Sequence, residues 1–315
     1  MKCLVGCAIL LLTSASWALN LRDQALGDAC YFIREKSDLT LCQPTNVARE
    51  DNEFFYGNLF FSEGVHQAEN WRNVIEGRAT PEQILSLIQD NRTSYLMSET
   101  NMGIVGRSWA LGFKPYELWA KTKIQNPSNP YASVDAGFAQ VLSLDFGNYL
   151  NEELSVGLKA EAAQLKVLKQ SLFLADLLAE GTNVHWQPRQ QTRFALSPAA
   201  AFEPNGAWGR ARYSVMWKQS YVDSTGQIMA GVSFLNDFSM GDLEWGLGTR
   251  FQESEPVQPN LFTQYAMGLT TFSASVAKDE QTYAAFLKLK SFDSGLSYFI
   301  TPGDHTLLFQ MGFTM

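Results

Sequence analysis

From Gly103 to the C-terminus, polar and apolar residues alternate along the chain with a period of two. Tyr213 and Trp217, for example, fall on one side of their segment, whereas Ser214 and Lys218 fall on the other. Successive side chains of a β-strand point to opposite sides, so this period indicates strands with one apolar and one polar face. The pattern predicts an all-β region that covers most of the chain.

Turn signals divide this region into twelve candidate strands. Clusters of Gly, Pro, Asn, Asp and Ser mark the turns, among them Asn126–Pro130 and Pro302–Asp304, and Lys114–Pro115 is assigned to a turn as well. The number rises to fourteen if the aromatic segment 53–61 and another N-terminal piece join the sheet. The candidate strands are 103–113, 116–124, 136–146, 153–165, 192–203, 207–219, 226–236, 240–252, 261–276, 282–290, 292–300 and 305–315.

The length of these strands favours a membrane protein. Typical alternating runs of nine to thirteen residues match the roughly 9 to 11 residues with which a tilted strand crosses a bilayer. A soluble sandwich or barrel with one wet face is the alternative. The polar faces carry both signs of charge, as in a barrel lumen, and aromatic residues lie toward strand ends, as in interfacial girdles. These aromatic residues are Tyr213, Trp217, Trp245, Phe251, Tyr298 and Phe299. We therefore predict a transmembrane antiparallel meander β-barrel.

Residues 19–100 follow a different pattern, which predicts two short helices. Ser62 precedes apolar residues at spacings of three and four that end at Gly77. Thr80, followed three residues later by Gln83, forms a capping box for a second helix. Segment 53–61 is either one strand or part of a plug. We expect residues 19–100 to form a plug or a periplasmic segment, and residues 101–315 to form the barrel.

Lys166–Glu180 interrupts the alternation with leucines at helical spacing before Gly181. The segment predicts a short helix within a connection that runs from Lys166 to Gln191. Such a helix would rest on the barrel rim, or it would act as a gate or an apolar dock for a ligand at the barrel mouth.

The first 18 residues have the features of a secretory signal peptide. Lys2 precedes an uncharged, leucine-rich stretch, and small residues stand two apart at Ser16 and Ala18. We expect cleavage between Ala18 and Leu19. A retained membrane anchor is the first alternative, and a lipoprotein signal that ends at Cys7 is the second.

The two cysteines that follow the signal peptide, Cys30 and Cys42, predict a disulfide. They lie twelve positions apart in a compartment that permits oxidation. Closing so short a loop would stabilise the N-terminal segment by about 3 kcal/mol. Two buried thiols or a metal site are the alternatives, although no His or further Cys nearby completes a zinc site.

Composition agrees with a barrel. Charged residues make up 18% of the chain, against roughly a quarter in average globular proteins, and lipid-facing positions would explain the shortage. A mean hydropathy of −0.13 excludes a bundle of membrane helices, each of which needs about 20 apolar residues. The net charge of −8 and the lack of a basic run make nucleic acid an unexpected partner.

The sequence contains little catalytic chemistry. Its three histidines are His66, His185 and His305, and none is paired in sequence with a nucleophile. No nucleophile elbow, HExxH motif, P-loop or dinucleotide fingerprint is present. We expect neither an enzyme nor a cofactor.

Charged residues on the polar faces of the candidate strands are expected to line the lumen. They either select solutes or form salt bridges that hold the barrel shut. The candidate lumen-lining residues are Glu117, Lys121, Lys123, Asp145, Lys159, Glu161, Arg210, Arg212, Glu244, Arg250, Lys288 and Lys290.

An N-terminal helical segment, then a strand that contains Gly106–Phe113 (GRSWALGF), then a long meander resembles the fatty-acid-transporter-like outer-membrane barrels. In that group the N-terminal part plugs the barrel and apolar compounds pass through it. The resemblance implies a channel or transporter for small or hydrophobic solutes in the outer membrane of a Gram-negative-type bacterium. Its partners would be outer-membrane lipid, the barrel-assembly machinery and an unknown small solute. The alternatives are a non-conducting surface, structural or adhesion barrel and a soluble periplasmic β-rich binding protein.

Overall fold

The described residues of the structure, a computed structural model, form a closed barrel of fourteen antiparallel strands. The structure describes residues 42–49, 53–80, 83, 86–87, 95–125, 131–173, 188–204, 210–222, 224–252, 257–278, 280–301 and 304–315. The strands are β1 (Phe54–Ser62), β2 (Tyr95–Gly106), β3 (Trp109–Gln125), β4 (Tyr131–Tyr149), β5 (Leu154–Phe173), β6 (Arg189–Phe202), β7 (Arg210–Gln219), β8 (Gly226–Phe238), β9 (Gly241–Gln252), β10 (Gln258–Met267), β11 (Thr270–Ala277), β12 (Glu280–Leu289), β13 (Phe292–Thr301) and β14 (Asp304–Thr314).

Each strand pairs with its neighbour in sequence, and β1 pairs with β14 to close the ring. The predicted meander barrel is confirmed, with the larger of the two expected strand numbers. Segment 53–61 supplies β1, so the barrel begins at Phe54 rather than at residue 101. The predicted strand 261–276 is two strands, because Gly268 adopts a left-handed conformation with φ of 58° and turns the chain between β10 and β11.

The first hairpin also differs from the prediction. The turn between β2 and β3 lies at Arg107–Ser108, where Ser108 has φ of 61°. Lys114–Pro115, which was expected to be a turn, lies inside β3, where the register shifts between Lys114 and Glu117. Proline has no N–H to give to the ladder, so it is accommodated at this β-bulge.

The outer face of the barrel is apolar and exposed. In β6, Phe194 and Leu196 are 73% and 51% exposed, whereas the intervening Ala195 and the following Ser197 are buried. A soluble barrel has the reverse arrangement, with its apolar side chains packed inside. In the alternation of the sequence, the apolar positions therefore form a lipid-facing surface and the positions between them face the lumen.

The two ends of the barrel differ. Short connections at 107–108, 150–153, 239–240 and 268–269 define what we call the turn end. The opposite end, the loop end, has the longer connections, including 63–94 and 174–188. Strands β3, β4 and β5 contain 17, 19 and 20 residues. These lengths exceed the roughly 9 to 11 residues with which a tilted strand spans a bilayer. The three strands therefore project beyond the membrane-spanning part of the barrel at the loop end.

The two predicted N-terminal helices are confirmed over their described residues. A 3-10 helix at Glu63–Gln67 leads into α1 (Ala68–Ile75), and Gly77 follows with φ of 74°. The capping box also forms: Gln83 Oε1 accepts the Thr80 N–H at 2.9 Å, and Thr80 Oγ1 accepts the Gln83 N–H at 3.3 Å. No helix among the described residues has the length and apolar character needed to cross a bilayer.

Helix α1 packs outside the barrel. Its buried residues Trp71 and Ile75 belong to one cluster with Leu118, Ala136 and Leu168 of the projecting strands. These strand residues lie on the same face as the exposed Leu142 because side chains alternate along each strand. Helix α1 is therefore not part of a plug in the lumen.

The helix predicted over Lys166–Glu180 is corrected in its first half, because β5 continues to Phe173. Inward-facing Val167 packs on a lumen cluster, and outward-facing Leu168 packs under α1. Both faces of the strand are covered by protein here, so apolar residues occur without alternation. Residues 174–180 and Gly181 lie outside the described part of the chain.

Candidate functional site in the barrel lumen

A short N-terminal segment occupies the lumen at the turn end. Pro44–Arg49 forms a 3-10 helix whose Val47 packs with inward-facing Tyr56, Val105 and Ala110. Among the described residues of the predicted plug or periplasmic segment, these lie inside the barrel, where a plug would lie. We call Cys42–Arg49 the lumen segment.

Two glycines allow the lumen segment to lie against the wall. Gly147 of β4 and Gly157 of β5 are paired across the ladder. A Cβ atom at Gly157 would lie 2.5 Å from the carbonyl carbon of Pro44 and 2.6 Å from the amide nitrogen of Thr45. The missing side chains are what allow this close approach of two backbones.

Arg212 of β7 holds the same segment. Its fully buried guanidinium donates from Nη2 to Gln43 Oε1 at 2.8 Å and to Thr45 Oγ1 at 3.0 Å. Glu203 lies 3.6 Å from Nε of Arg212 and also pairs with Arg49. One carboxylate thus joins a wall arginine to an arginine of the lumen segment, which gives the docked position two charge-assisted anchors.

A second charged group lies on the inner face of β2–β5. Lys114 Nζ is 3.0 Å from Glu99 Oε1 and 3.8 Å from Glu117 Oε2. Lys159 is paired across the ladder with the buried Asp145, and its Nζ is 3.9 Å from Glu161 Oε1. These six residues contribute four carboxylates and two ammonium groups to one side of the lumen.

An apolar cluster lies next to this charged group, on the inner face of β1, β12 and β14, and Phe60 is paired with Glu99 across the β1–β2 ladder. Phe60 of β1 packs with Ala284, Phe286 and Leu308. Half-buried Met97 and Phe299 extend the same cluster, which we call the phenylalanine cluster. Small hydroxyl side chains lie among these rings on the inner face: Ser273, Ser275, Thr282 and Ser297. The lumen wall therefore carries a charged group and an apolar cluster side by side.

Most of the twelve predicted lumen residues lie on the inner face. These are Glu117, Asp145, Lys159, Glu161, Arg212, Glu244, Arg250 and Lys288. Arg210 has the inward register but lies at the exposed rim, 2.8 Å from Asp237. Lys121 and Lys123 belong to β3, and their side chains lie outside the described part of the structure.

Lys290 is a correction, since it does not line the lumen. Strand β12 ends at Leu289, and Lys290 is an exposed turn residue with φ of 51°. Phe299 is a second correction, because it packs in the phenylalanine cluster rather than in an outer girdle. Tyr213, Trp217, Trp245, Phe251 and Tyr298 are exposed on the outer face, each near or above two-fifths exposure.

Sequence reasoning missed Glu99, Lys114 and Phe60. The sequence predicts Glu99 in a plug or periplasmic segment, Phe60 in either a strand or part of a plug, and Lys114 in a turn. Extending the period of two back from the predicted strand 103–113 would have placed Glu99 on the same face as Gly103 and Val105, both of which are buried in the structure. Cys42 is buried, and Cys30 lies outside the described residues, so the disulfide stays a prediction.

Comparisons with known proteins identify the fold. No family model matches the chain, and no curated protein matches it. The CymD monoaromatic hydrocarbon channel is 11% identical with a TM-score of 0.54, over 93% of this chain and 96% of that one. The Ralstonia pickettii toluene transporter TbuX is 9% identical with a TM-score of 0.54, over 96% and 98%. The P. putida toluene transporter TodX is 8% identical with a TM-score of 0.50, over 96% and 97%.

At these identities the likeness shows a shared fold. The three neighbours are fatty-acid-transporter-like barrels, so the resemblance expected from the sequence is confirmed at the level of architecture. All three are described as channels or transporters, and none as an enzyme.

Proposed function

We propose that the protein is an outer-membrane channel that admits small, predominantly apolar solutes. The observation that carries the proposal is the phenylalanine cluster on the inner face of the barrel. Barrels that conduct only water and ions have a polar lumen wall. Inward-facing Phe60, Phe286 and Leu308 are apolar instead. They are 1%, 6% and 1% exposed, so a hydrophobic solute would contact them when their packing opens, and it would then remain in apolar surroundings.

The fold supports this proposal. Barrels with the same architecture include a monoaromatic hydrocarbon channel and two toluene transporters. Small aromatic hydrocarbons have the polarity that suits the phenylalanine cluster, since aromatic rings pack favourably edge to face or offset. We take this class of compound as the solute to be tested first.

The outer face supports an outer-membrane location in a Gram-negative-type bacterium. Exposed aromatic residues such as Tyr213 and Trp217 lie on the outer face of β7, the face that meets lipid in such barrels. The predicted signal peptide 1–18, cleaved between Ala18 and Leu19, would deliver the chain to the periplasm, where the barrel-assembly machinery and lipid are its partners. Short turns face the periplasm in such barrels, so the loop end would face outward.

A non-conducting surface or structural barrel is the second candidate. It is favoured by the lumen segment, which Arg212 and Glu203 hold inside the barrel. The channel hypothesis requires that this segment leaves a path or undocks, whereas the structural hypothesis requires that it stays.

Planar-bilayer recordings of the purified protein separate the two candidates. We expect discrete conductance steps from the wild-type chain, and higher open probability from Arg212→Met, which weakens the hold on the lumen segment. Addition of toluene should reduce the ionic current because the solute competes for the lumen. If both proteins are silent and toluene has no effect, the channel proposal fails and the structural barrel is favoured.

A further inference from the structure

The β7–β8 hairpin leaves the barrel wall near its tip. Strands β6 and β7 pair only from Ala199–Met216 to Phe202–Tyr213, although β7 continues to Gln219. By contrast, β7 and β8 stay paired along the whole of β7. The hairpin tip, of which residues 220–222 and 224–225 are described, is therefore separated from β6 while it remains attached to its own partner strand.

Side chains bridge the gap that the ladder leaves. The Leu196 N–H donates to Gln219 Oε1 at 3.0 Å, and the Gln219 N–H donates to Ser197 Oγ at 3.1 Å. Closer to the tip, Arg193 Nη1 donates to the Val222 carbonyl at 2.9 Å. Hydrogen bonds through side chains span a wider gap than backbone pairs do, so the tip is displaced from β6 but held in a defined position.

Tyr221 in this tip reaches across the lumen. Its hydroxyl donates to Glu117 Oε2 on β3 at 2.7 Å. Its ring packs on a cluster of inward-facing residues that includes Val141 and Leu165. Strand β3 lies four strands from β7, which is about 19 Å along the wall at roughly 4.8 Å per strand. A turn residue can reach that strand only by folding over the inner face.

The acceptor of this hydrogen bond, Glu117, belongs to the charged group on the inner face of β2–β5. Lys114 lies between Glu117 and Glu99, so one ammonium group faces two carboxylates. Burial, and then the neighbouring Glu117 carboxylate, raise the pKa of Tyr221 well above its usual range. The phenol therefore stays protonated and continues to donate its hydrogen bond at physiological pH.

We propose that Tyr221 is the specificity-determining residue of the pore. The ring narrows the lumen toward the loop end and sets the size of solute that passes. The hydroxyl donates a hydrogen bond to Glu117 and thereby lowers the attraction of this carboxylate for cations. The inference rests on the proposed channel function, and it places the narrowest section of the channel at the tip of the β7–β8 hairpin.

Single-channel recordings under a salt gradient test the two roles of Tyr221 separately. Tyr221→Ala should raise the conductance about twofold or more, because the ring that narrows the lumen is gone. Tyr221→Phe keeps the ring and should leave the conductance near the wild-type value, while the reversal potential shifts toward cation selectivity. Glu117→Gln should shift the reversal potential in the opposite direction.

Tyr283→Ala is the matched control. Tyr283 is 46% exposed on the outer face, and its hydroxyl donates only a long hydrogen bond of 3.3 Å to Gln281. The control should leave conductance and selectivity unchanged. Heat-modifiable migration on gels verifies that each variant has formed its barrel before recording.

The outcomes distinguish this inference from the proposed function. A conducting wild type with a Tyr221→Ala variant of equal conductance overturns the role of Tyr221 and leaves the channel intact. A silent wild type that Tyr221→Ala opens supports both. Silence of both folded proteins overturns both. If Tyr221→Ala does not fold, equal reversal potentials for wild type, Tyr221→Phe and Glu117→Gln are sufficient to reject the inference.

Discussion

Replacing Arg212 with methionine should release the lumen segment and leave the strand ladder of the barrel intact. Methionine retains much of the length of the side chain but removes two hydrogen bonds, at 2.8 Å to Gln43 and 3.0 Å to Thr45, and the ion pair with Glu203. After the substitution, Glu203 keeps its ion pair with Arg49. The substitution therefore acts on the docked position of the segment rather than on the strand ladder.

The expected magnitude follows from the burial of Arg212. A hydrogen bond from a charged donor contributes about 1.5–3 kcal/mol, and removing one partner of a buried ion pair costs about 3–5 kcal/mol. These contributions overlap, so we expect docking to weaken by about 3 kcal/mol, which reduces the ratio of docked to undocked segment by roughly a hundredfold.

Limited trypsin digestion of the folded barrel measures this change. Cleavage after Arg49 should be roughly a hundredfold faster in Arg212→Met than in the wild type, as long as opening is fast relative to cleavage. Arg210→Met is the control, because Arg210 is 64% exposed and pairs with Asp237 at the rim, where such pairs contribute about 0–1 kcal/mol. Equal cleavage rates for the two variants would refute the proposed anchoring of the lumen segment by Arg212.

Three further predictions concern other contacts. Gly157→Val should also expose the site after Arg49 to trypsin, since the new side chain overlaps the backbone of the lumen segment; an unchanged digestion rate would contradict the close approach. Trp71→Ala should weaken the docking of α1 by about 3–5 kcal/mol and expose residues 63–80 to protease while conductance stays normal; loss of conductance would show that α1 matters for the pore. Peptides that contain Cys30 and Cys42 should be joined until a reductant is added, and separate peptides in non-reducing digests would exclude the predicted disulfide.

The barrel could be predicted because one face of most strands meets lipid and the other meets the lumen. Alternation records that difference directly, as it does for Phe194 and Ser197 in β6. The prediction failed where this contrast is lost. Around Leu168, protein covers both faces of β5, and the apolar residues at helical spacing indicated a helix instead of a strand.

Local signals also misplaced one turn. Proline within Lys114–Pro115 indicated a break in the strand, but a β-bulge absorbs it and keeps Lys114 on the inner face. Identifying Glu99 as a lumen residue required the correct strand boundary, which the helical N-terminal segment obscured. Each error therefore removed charged residues from the predicted lumen.

The role of Tyr221 could not be predicted from the sequence. Its hydrogen bond joins positions that are 104 residues apart, and it depends on how far β7 separates from β6. That separation is a property of the closed barrel and leaves no period or motif in the segment itself. By contrast, Arg212 and Asp145 were predicted because their strands alternate clearly.

Uptake of radiolabelled toluene by Gram-negative cells tests the proposed function most directly. Cells that make the wild-type protein should take up toluene faster than matched cells without it, and cells that make Tyr221→Ala should take it up at least as fast. Equal initial uptake with and without the folded protein in the outer membrane would contradict a channel for small apolar solutes.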